Sequence, residues 1–267
     1  MTATLGRVKE LETLLDSLAN QTYKNFELII IDQNEHFEIE KLVALYESKI
    51  DIKYIRSSIK GLSYNRNIGL KACSGEIIGF PDDDCFYSIE VLDNVYEQFR
   101  ENDTNIVLVE AVDPINNSKY IIRNTIVGRD DLIKYGISYN VFLSFRFDSL
   151  FDESLGVGTY FSSGEETDFL WEYTRKYSDK ISFAKKGTVY HICGGYNSLS
   201  YEKAYKYGLG FGAIFKKEIF LRKNYKYFLK YLNYLVRSLG GIILTKNKRM
   251  YLGSLLGRIV GFIRYKV

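Results

Sequence analysis

At 267 residues, 46% hydrophobic and 26% charged, the chain has enough apolar content for a full core, as one large domain or one domain with an appendage. The opening Met1-Thr2-Ala3-Thr4-Leu5-Gly6-Arg7 lacks a signal peptide's apolar stretch, and Cys73, Cys85 and Cys193 are odd in number and scattered. This excludes a disulfide framework and a cysteine zinc site, points to a reducing compartment, and leaves metal chemistry to oxygen ligands and two histidines.

Apolar residues Val8, Leu11, Leu14, Leu15 and Leu18 recur at helical spacing, so 7–20 is an expected amphipathic helix. Phe26–Ile31 follows as a buried strand ending at Asp32. Residues 37–48 give a second helix, Ile52–Ile55 a strand, and Gly61–Gly69 opens a third helix with Ser63 as a possible cap. The strand Glu76–Phe80 leads into Pro81-Asp82-Asp83-Asp84. Residues 88–100 are an expected helix and Asn105–Val112 a strand. Strands alternating with helices imply an α/β fold with a mostly parallel sheet covered on both faces. No G-x-G-x-x-G or P-loop pattern is present, which argues against a dinucleotide enzyme or an NTPase.

Past residue 113 the alternation weakens. Tyr120–Val127 and Val141–Phe147 are expected strands of a mixed half, and Thr188–His191 a short strand. Leu155-Gly156-Val157-Gly158-Thr159 is an ordinary Gly-rich connection or a flexible acceptor loop. Phe161–Asp168 leads into a helix carrying Phe169, Leu170 and Tyr173.

The net charge of +3 conceals an asymmetry. Residues 200–267 hold 15 Lys/Arg against Glu202 and Glu218, a net of +13, so residues 1–199 carry −10. The tail is helical in pattern. Lys223, Lys226, Lys230 and Arg237 share one stripe, with Tyr225, Phe228, Leu232, Leu235, Val236 and Leu239 opposite. A second helix is expected around Leu252–Ile263. Lys230 and Arg237 interrupt the apolar run, so the pattern suits an interfacial helix on an anionic membrane rather than a spanning one. The alternative is a helix packed on the domain with solvated lysines. The opposing apolar face argues against nucleic acid as the tail's partner.

Three consecutive carboxylates at a strand end repel one another unless a cation joins them. A divalent ion carrying a phosphorylated ligand is the natural candidate, and an acidic turn or N-cap the plain alternative. The wider sequence weighs between them. Thr4–Arg7 through Gln21-Thr22-Tyr23-Lys24-Asn25-Phe26-Glu27 to Asp32, Arg66-Asn67-Ile68-Gly69 with Pro81–Asp84, and Gly164–Asp168 together resemble the inverting family 2 glycosyltransferases of the GT-A fold. The resemblance covers about residues 2–195. It implies a GT-A catalytic domain at 1–199, with 1–112 the nucleotide-binding half and 113–199 the acceptor half, followed by a basic amphipathic helical tail at 200–267.

The resemblance also implies roles. Thr4, Arg7, Asp32, Gln33, Arg66, Asp82 and Asp83 would contact a nucleotide-diphosphate sugar. Asp84, Asp82 and His191 would hold Mn2+ or Mg2+, with Asp84 the most direct ligand. His191 could equally be a packed strand-end residue. Glu166 would be the base, with Glu165 and Asp168 in the same acidic turn, unless that turn serves only the helix dipole. The acceptor would be lipid-linked or a saccharide, in surface-glycan synthesis, with the enzyme cytoplasmic and peripheral at the inner face of the cell membrane.

Two features depart from the family pattern. Gln33 stands where a second Asp is usual, and the opening strand is reduced to Met1–Ala3, from which a start placed too late or a shortened chain is expected. Competing readings are a nucleotidyltransferase, which would not call for the Glu165–Asp168 turn, and a non-catalytic nucleotide-sugar or carbohydrate-binding protein of the same fold.

Overall fold

The computed structural model describes residues 1–123, 127–145, 148–192 and 199–267. Residues 124–126 and 146–147, the ends of two expected strands, lie outside it, as does Cys193. The chain forms two compact units: Met1–Lys60, Tyr64–Leu150 and Phe169–Cys193 make the first, and Gly61–Ser63, Phe151–Asp168 and Gly194–Val267 the second.

The first unit follows the local patterns. β1 (Thr2–Thr4), β2 (Glu27–Asp32) and β3 (Asp51–Arg56) pair in parallel, with Thr2 opposite Ile30 and Ile30 opposite Tyr54. α1 (Val8–Ala19) buries Leu11, Leu14, Leu15 and Leu18, the residues its period selects. They join Leu28 and Ile30 of β2, and Ile39, Leu42 and Val43 of α2 (Glu38–Ala44), in one core. Each such side chain contributes about 1.5–3 kcal/mol on burial. α2 is shorter than its pattern. Leu45, Tyr46 and Lys49 bond back three residues rather than four, so the chain tightens past Ala44 while Tyr46 and Ile50 still enter the core.

After α3 (Leu62–Ala72) come β4 (Ile77–Gly79), β5 (Cys85–Tyr87), α4 (Val91–Glu101), β6 (Ile106–Val112), β7 (Lys119–Ile121), α5 (Leu132–Tyr135) and β8 (Val141–Ser144). α6 (Glu165–Lys176) and β9 (Ile181–His191) complete the succession before the tail. The second sheet has the order β4-β8-β6-β9-β5, with β7 on β6. The first sheet is wholly parallel, and this second one is mixed. β6 and β9 are parallel, whereas β4–β8, β6–β8, β5–β9 and β6–β7 are antiparallel. Only β6 and β7 are joined by a short return; the other antiparallel pairs bring together strands distant in the chain. β9 is also longer than Thr188–His191, because the ladder with β6 resumes past an irregularity at Leu108/Glu110. Between β1 and β4, the Met1 ammonium donates to the Gly79 carbonyl, 2.9 Å away.

The second unit is built on α7 (Tyr201–Lys216), α8 (Lys226–Leu244) and α9 (Lys248–Arg264). A Cβ on Gly253 would meet the Tyr201 carbonyl oxygen at 2.4 Å, one on Gly257 that of Tyr205 at 2.2 Å, and one on Gly261 that of Leu209 at 2.0 Å. The four-residue steps on both helices show that α7 and α9 run parallel, backbone against backbone. Small residues every fourth position permit this approach. α8 adds an aromatic cluster: Phe215 lies 5.9 Å from Tyr227 and 5.6 Å from Tyr231, and Tyr231 stacks on Phe262 at 4.6 Å.

Candidate active site

The first unit gathers its functional side chains at the carboxyl ends of β1, β2 and β4, the end at which open α/β sheets bind ligands. β4 ends at Gly79 and the chain turns through Pro81 and the three acids into β5. β5 pairs with β9 so that Cys85 faces His191, which brings the histidine beside Asp84. His191 Nε2 lies 3.4 Å from Asp84 Oδ1, and the ring stacks on Tyr139 with centroids 4.5 Å apart. Ligand atoms of Asp82, Asp84 and His191 all lie within 4.8 Å of one another. Two hard carboxylates and one imidazole form a donor set that suits Mn2+, and Mg2+ when waters complete the shell.

Guanidinium groups meet the acids. Arg66 is almost fully buried on α3, and its Nη2 lies 3.1 Å from Asp82 Oδ1, which also accepts from Ser138 Oγ at 2.9 Å. Arg7 Nη1 reaches Asp83 Oδ1 at 2.9 Å and Asp84 Oδ2 at 2.5 Å. Burial pushes the Asp83 carboxyl up, against the Thr4 hydroxyl and Arg7, which work to hold it down. Burial acts the same way on Asp84, but the His191 ring and Arg7 bring that carboxyl below its usual range.

Asp32 is fully buried, and both its oxygens are oriented. Oδ1 accepts from the Asn34 backbone and side-chain amides at 2.8 and 2.7 Å, and Oδ2 from Tyr54 at 2.6 Å. Gln33 Oε1 accepts from Asn65 Nδ2 at 2.9 Å, which ties the end of β2 to α3. Thr4 is buried at the end of β1, its carbonyl accepting from the Gln33 backbone amide at 3.0 Å. Tyr54, Ser138 and Tyr139 had not been singled out in the sequence. Each reaches the site through strand pairing or a distant loop, and no local motif marks it.

The second unit holds the acidic turn. Glu165 and Asp168 are buried and Glu166 is partly exposed. A Cβ on Gly156 would lie 3.1 Å from the Glu165 carboxyl carbon and 2.8 Å from Ser63 Oγ, so the Gly-rich loop closes directly over Glu165. The loop is anchored: Ser63 Oγ donates to the Leu155 carbonyl at 2.6 Å, and the Leu62 amide to the Val157 carbonyl at 3.0 Å. Gly156 and Gly158 have φ of +96° and +94°, which other residues adopt only with strain. Asp168 is ion-paired with Lys217 and Arg222.

The tail helices expose apolar side chains. On α8 the buried residues are Tyr227, Tyr231, Ser238 and Gly241, while Phe228, Leu232, Val236, Leu239 and Ile243 are exposed. On α9 the exposed Leu252, Leu256, Ile259 and Ile263 fall on one stripe, opposite the glycine face. Lys223 does not continue the basic stripe, because it precedes α8 with a φ of +56°. Among the described residues no helix is long and apolar enough to cross a membrane.

Comparison with known proteins agrees with this architecture. An uncharacterised glycosyltransferase of Rickettsia conorii is 34% identical over 109 residues, which is 40% of this chain and 18% of that protein, so the chain spans under a fifth of that relative. The Staphylococcus aureus TarS structure (residues 1–349) with UDP-GlcNAc superposes with a TM-score of 0.62 at 21% identity, over 82% of this chain and 65% of that one. A mannosyltransferase from Pyrobaculum calidifontis, in complex with GDP-Man and Mn2+, gives 0.63 at 11% identity over 98% and 85%. These likenesses establish the GT-A fold. The sequence pattern of glycosyl transferase family 2 matches residues 1–208, more than three quarters of the chain, and the protein belongs to that family.

Proposed function

We propose that the chain is an inverting, divalent-metal-dependent glycosyltransferase. It moves a sugar from a nucleotide-diphosphate donor to a lipid-linked or saccharide acceptor in cell-surface glycan synthesis. The convergence of Asp82, Asp84 and His191 within 4.8 Å carries the reading. Mn2+ or Mg2+ held there supplies Lewis-acid stabilisation of charge on the leaving diphosphate. Arg7 and Arg66 fix the acids and offer positive charge to phosphate oxygens, a match of fork geometry to phosphate. Asp32, held by Tyr54 and Asn34, and Gln33 read the nucleoside. Glu166, the partly exposed acid of its turn, takes the proton of the acceptor hydroxyl, and direct attack inverts the anomeric centre.

The apolar stripes of α8 and α9, in a tail of net charge +13, support a peripheral seat on an anionic membrane, at the cytoplasmic inner face. The catalytic domain in this reading is 1–199, with 1–112 for the nucleotide and 113–199 for the acceptor, and 200–267 is the membrane-facing tail.

The test is a screen of nucleotide sugars with Mn2+ and Mg2+, reading release of nucleoside diphosphate. Asp84→Asn should lower metal-dependent release roughly 100-fold. Full activity with unchanged metal dependence in that variant removes the metal assignment, and unchanged turnover in Glu166→Gln places the base elsewhere.

A further inference from the structure

We infer that Lys217 and Arg222, from the tail, are positioning residues that clamp the acidic turn Glu165–Asp168 and set the direction in which Glu166 points. The inference rests on the reading of Glu166 as the base.

Three observations carry it. First, Asp168 is nearly fully buried, and two cations hold its carboxylate: Lys217 Nζ lies 2.7 Å from Oδ2 and Arg222 Nη2 lies 2.8 Å from Oδ1. The Arg222 guanidinium also donates to the Asp168 carbonyl at 3.3 Å. An acid in the first turn of a helix is already favoured by the helix dipole. The two cations, largely shielded from solvent, also pair with Asp152 and Glu218, and each costs desolvation unless its geometry is complete. What they add is a fixed place.

Second, the cations depend on an irregularity. Lys217–Leu221 is a π-turn after α7, closed by the Arg222 amide donating to the Lys217 carbonyl at 3.0 Å. In an α-helix, residues five apart point about 140° away from each other. The wider turn brings them toward one side, which is how both reach the same carboxylate. Glu218, fully buried inside the turn, pairs with Arg222 at 3.1 Å and accepts from Asn224 Nδ2 at 2.8 Å, fixing the guanidinium from behind.

Third, Lys217 serves two segments at once. Its Nζ also lies 2.6 Å from Asp152 Oδ2, which accepts from the Tyr265 hydroxyl at 2.5 Å. Burial works to raise the Asp152 carboxyl, but Lys217 and the Ser154 and Tyr265 hydroxyls hold it well below the usual range. One ammonium thus ties the start of the 151–161 loop, which covers Glu165, to the helix that carries Glu166. On that helix Asp168 lies about 200° round from Glu166. The clamp therefore grips the opposite side and leaves the base's face clear. Lys217 and Arg222 both lie beyond residue 208, where the family pattern ends, so the tail supplies this support.

The test uses the full-length chain and the variants Lys217→Met, Lys217→Arg, Asp168→Asn and the double Lys217→Met/Asp168→Asn. In Lys217→Met, kcat for transfer should fall roughly 10- to 100-fold while donor KM stays within about twofold. Lys217→Arg should recover most of the loss, and the double variant should lose no more than the worse single one. Hydrogen exchange of amides 165–169 should quicken about tenfold or more in Lys217→Met, with the β2 amides unchanged. Unchanged exchange in that turn, or quickened exchange throughout the chain with loss of donor binding, overturns the clamp. If the wild-type chain turns over no nucleotide sugar, the proposed activity fails, and the exchange measurement still decides the clamp.

Discussion

The parallel seam of α7 and α9 predicts opposite outcomes for one substitution at two glycines. At Gly212 a Cβ would lie 2.1 Å from the Arg258 carbonyl oxygen and 2.5 Å from the Phe262 amide nitrogen. Both are backbone atoms of α9 and cannot swing aside. Restoring an ordinary contact requires the helices to part by about 1.3 Å, which loosens the neighbouring contacts at Gly208, Gly257 and Gly261. Overpacking of this kind costs about 1–3 kcal/mol or more, against about 1 kcal/mol gained from alanine's helix propensity. Gly212→Ala should therefore destabilise by about 1–2 kcal/mol and lower Tm by about 3–8 °C. At Gly240, inside α8, a Cβ would meet nothing within 4 Å. Gly240→Ala should stabilise by about 0.5–1 kcal/mol. Urea titrations followed by far-UV circular dichroism, with thermal melts, measure both. A Gly212→Ala protein as stable as wild type, or the two variants shifting together, refutes the close-contact reasoning.

Other outcomes follow from the first unit and the tail. Tyr54→Phe removes the hydroxyl that donates to Asp32 Oδ2 at 2.6 Å and leaves that buried oxygen short of a donor. Nucleoside diphosphate binding should weaken roughly 5- to 10-fold by titration calorimetry, and an unchanged Kd removes Asp32 from the nucleoside contact. Glu27 gives a pH dependence. Burial works to raise its carboxyl, but Lys53 at 2.5 Å and the Ser74 amide and hydroxyl bring it down to about 2. A depressed folded-state value gives stability that is present above the unfolded value, about 4.3, and is lost as pH falls toward 2. Glu27→Gln should be less stable than wild type at pH 7, with the gap closing by about pH 2; a gap constant with pH contradicts this. On the tail, Val236→Glu/Leu256→Glu places charge on two exposed apolar positions and should reduce flotation with anionic vesicles about tenfold or more, with helicity retained. Equal flotation of both proteins excludes these stripes as the membrane face.

The sequence by itself determined the elements whose causes are local. The Leu11, Leu14, Leu15 and Leu18 period gave α1, the apolar run ending at Asp32 gave β2, and the alternation of strand and helix gave the fold class, because each pattern lies within one stretch of chain. The acidic run was legible in the same way, as carboxylates held at a strand end. Only the tertiary structure decided what depends on pairing across distance. His191 stands beside Asp84 because β5 and β9 run antiparallel in one register, and β9 extends back to Ile181 because β6 accepts it beyond an irregular step. The partners of Asp168 lie 49 and 54 residues on, at two positions that a π-turn aligns. Glycine weakens a lone helix, so nothing local accounts for the glycines of α7 and α9. Their reason is the backbone of the other helix, and no local propensity contains it.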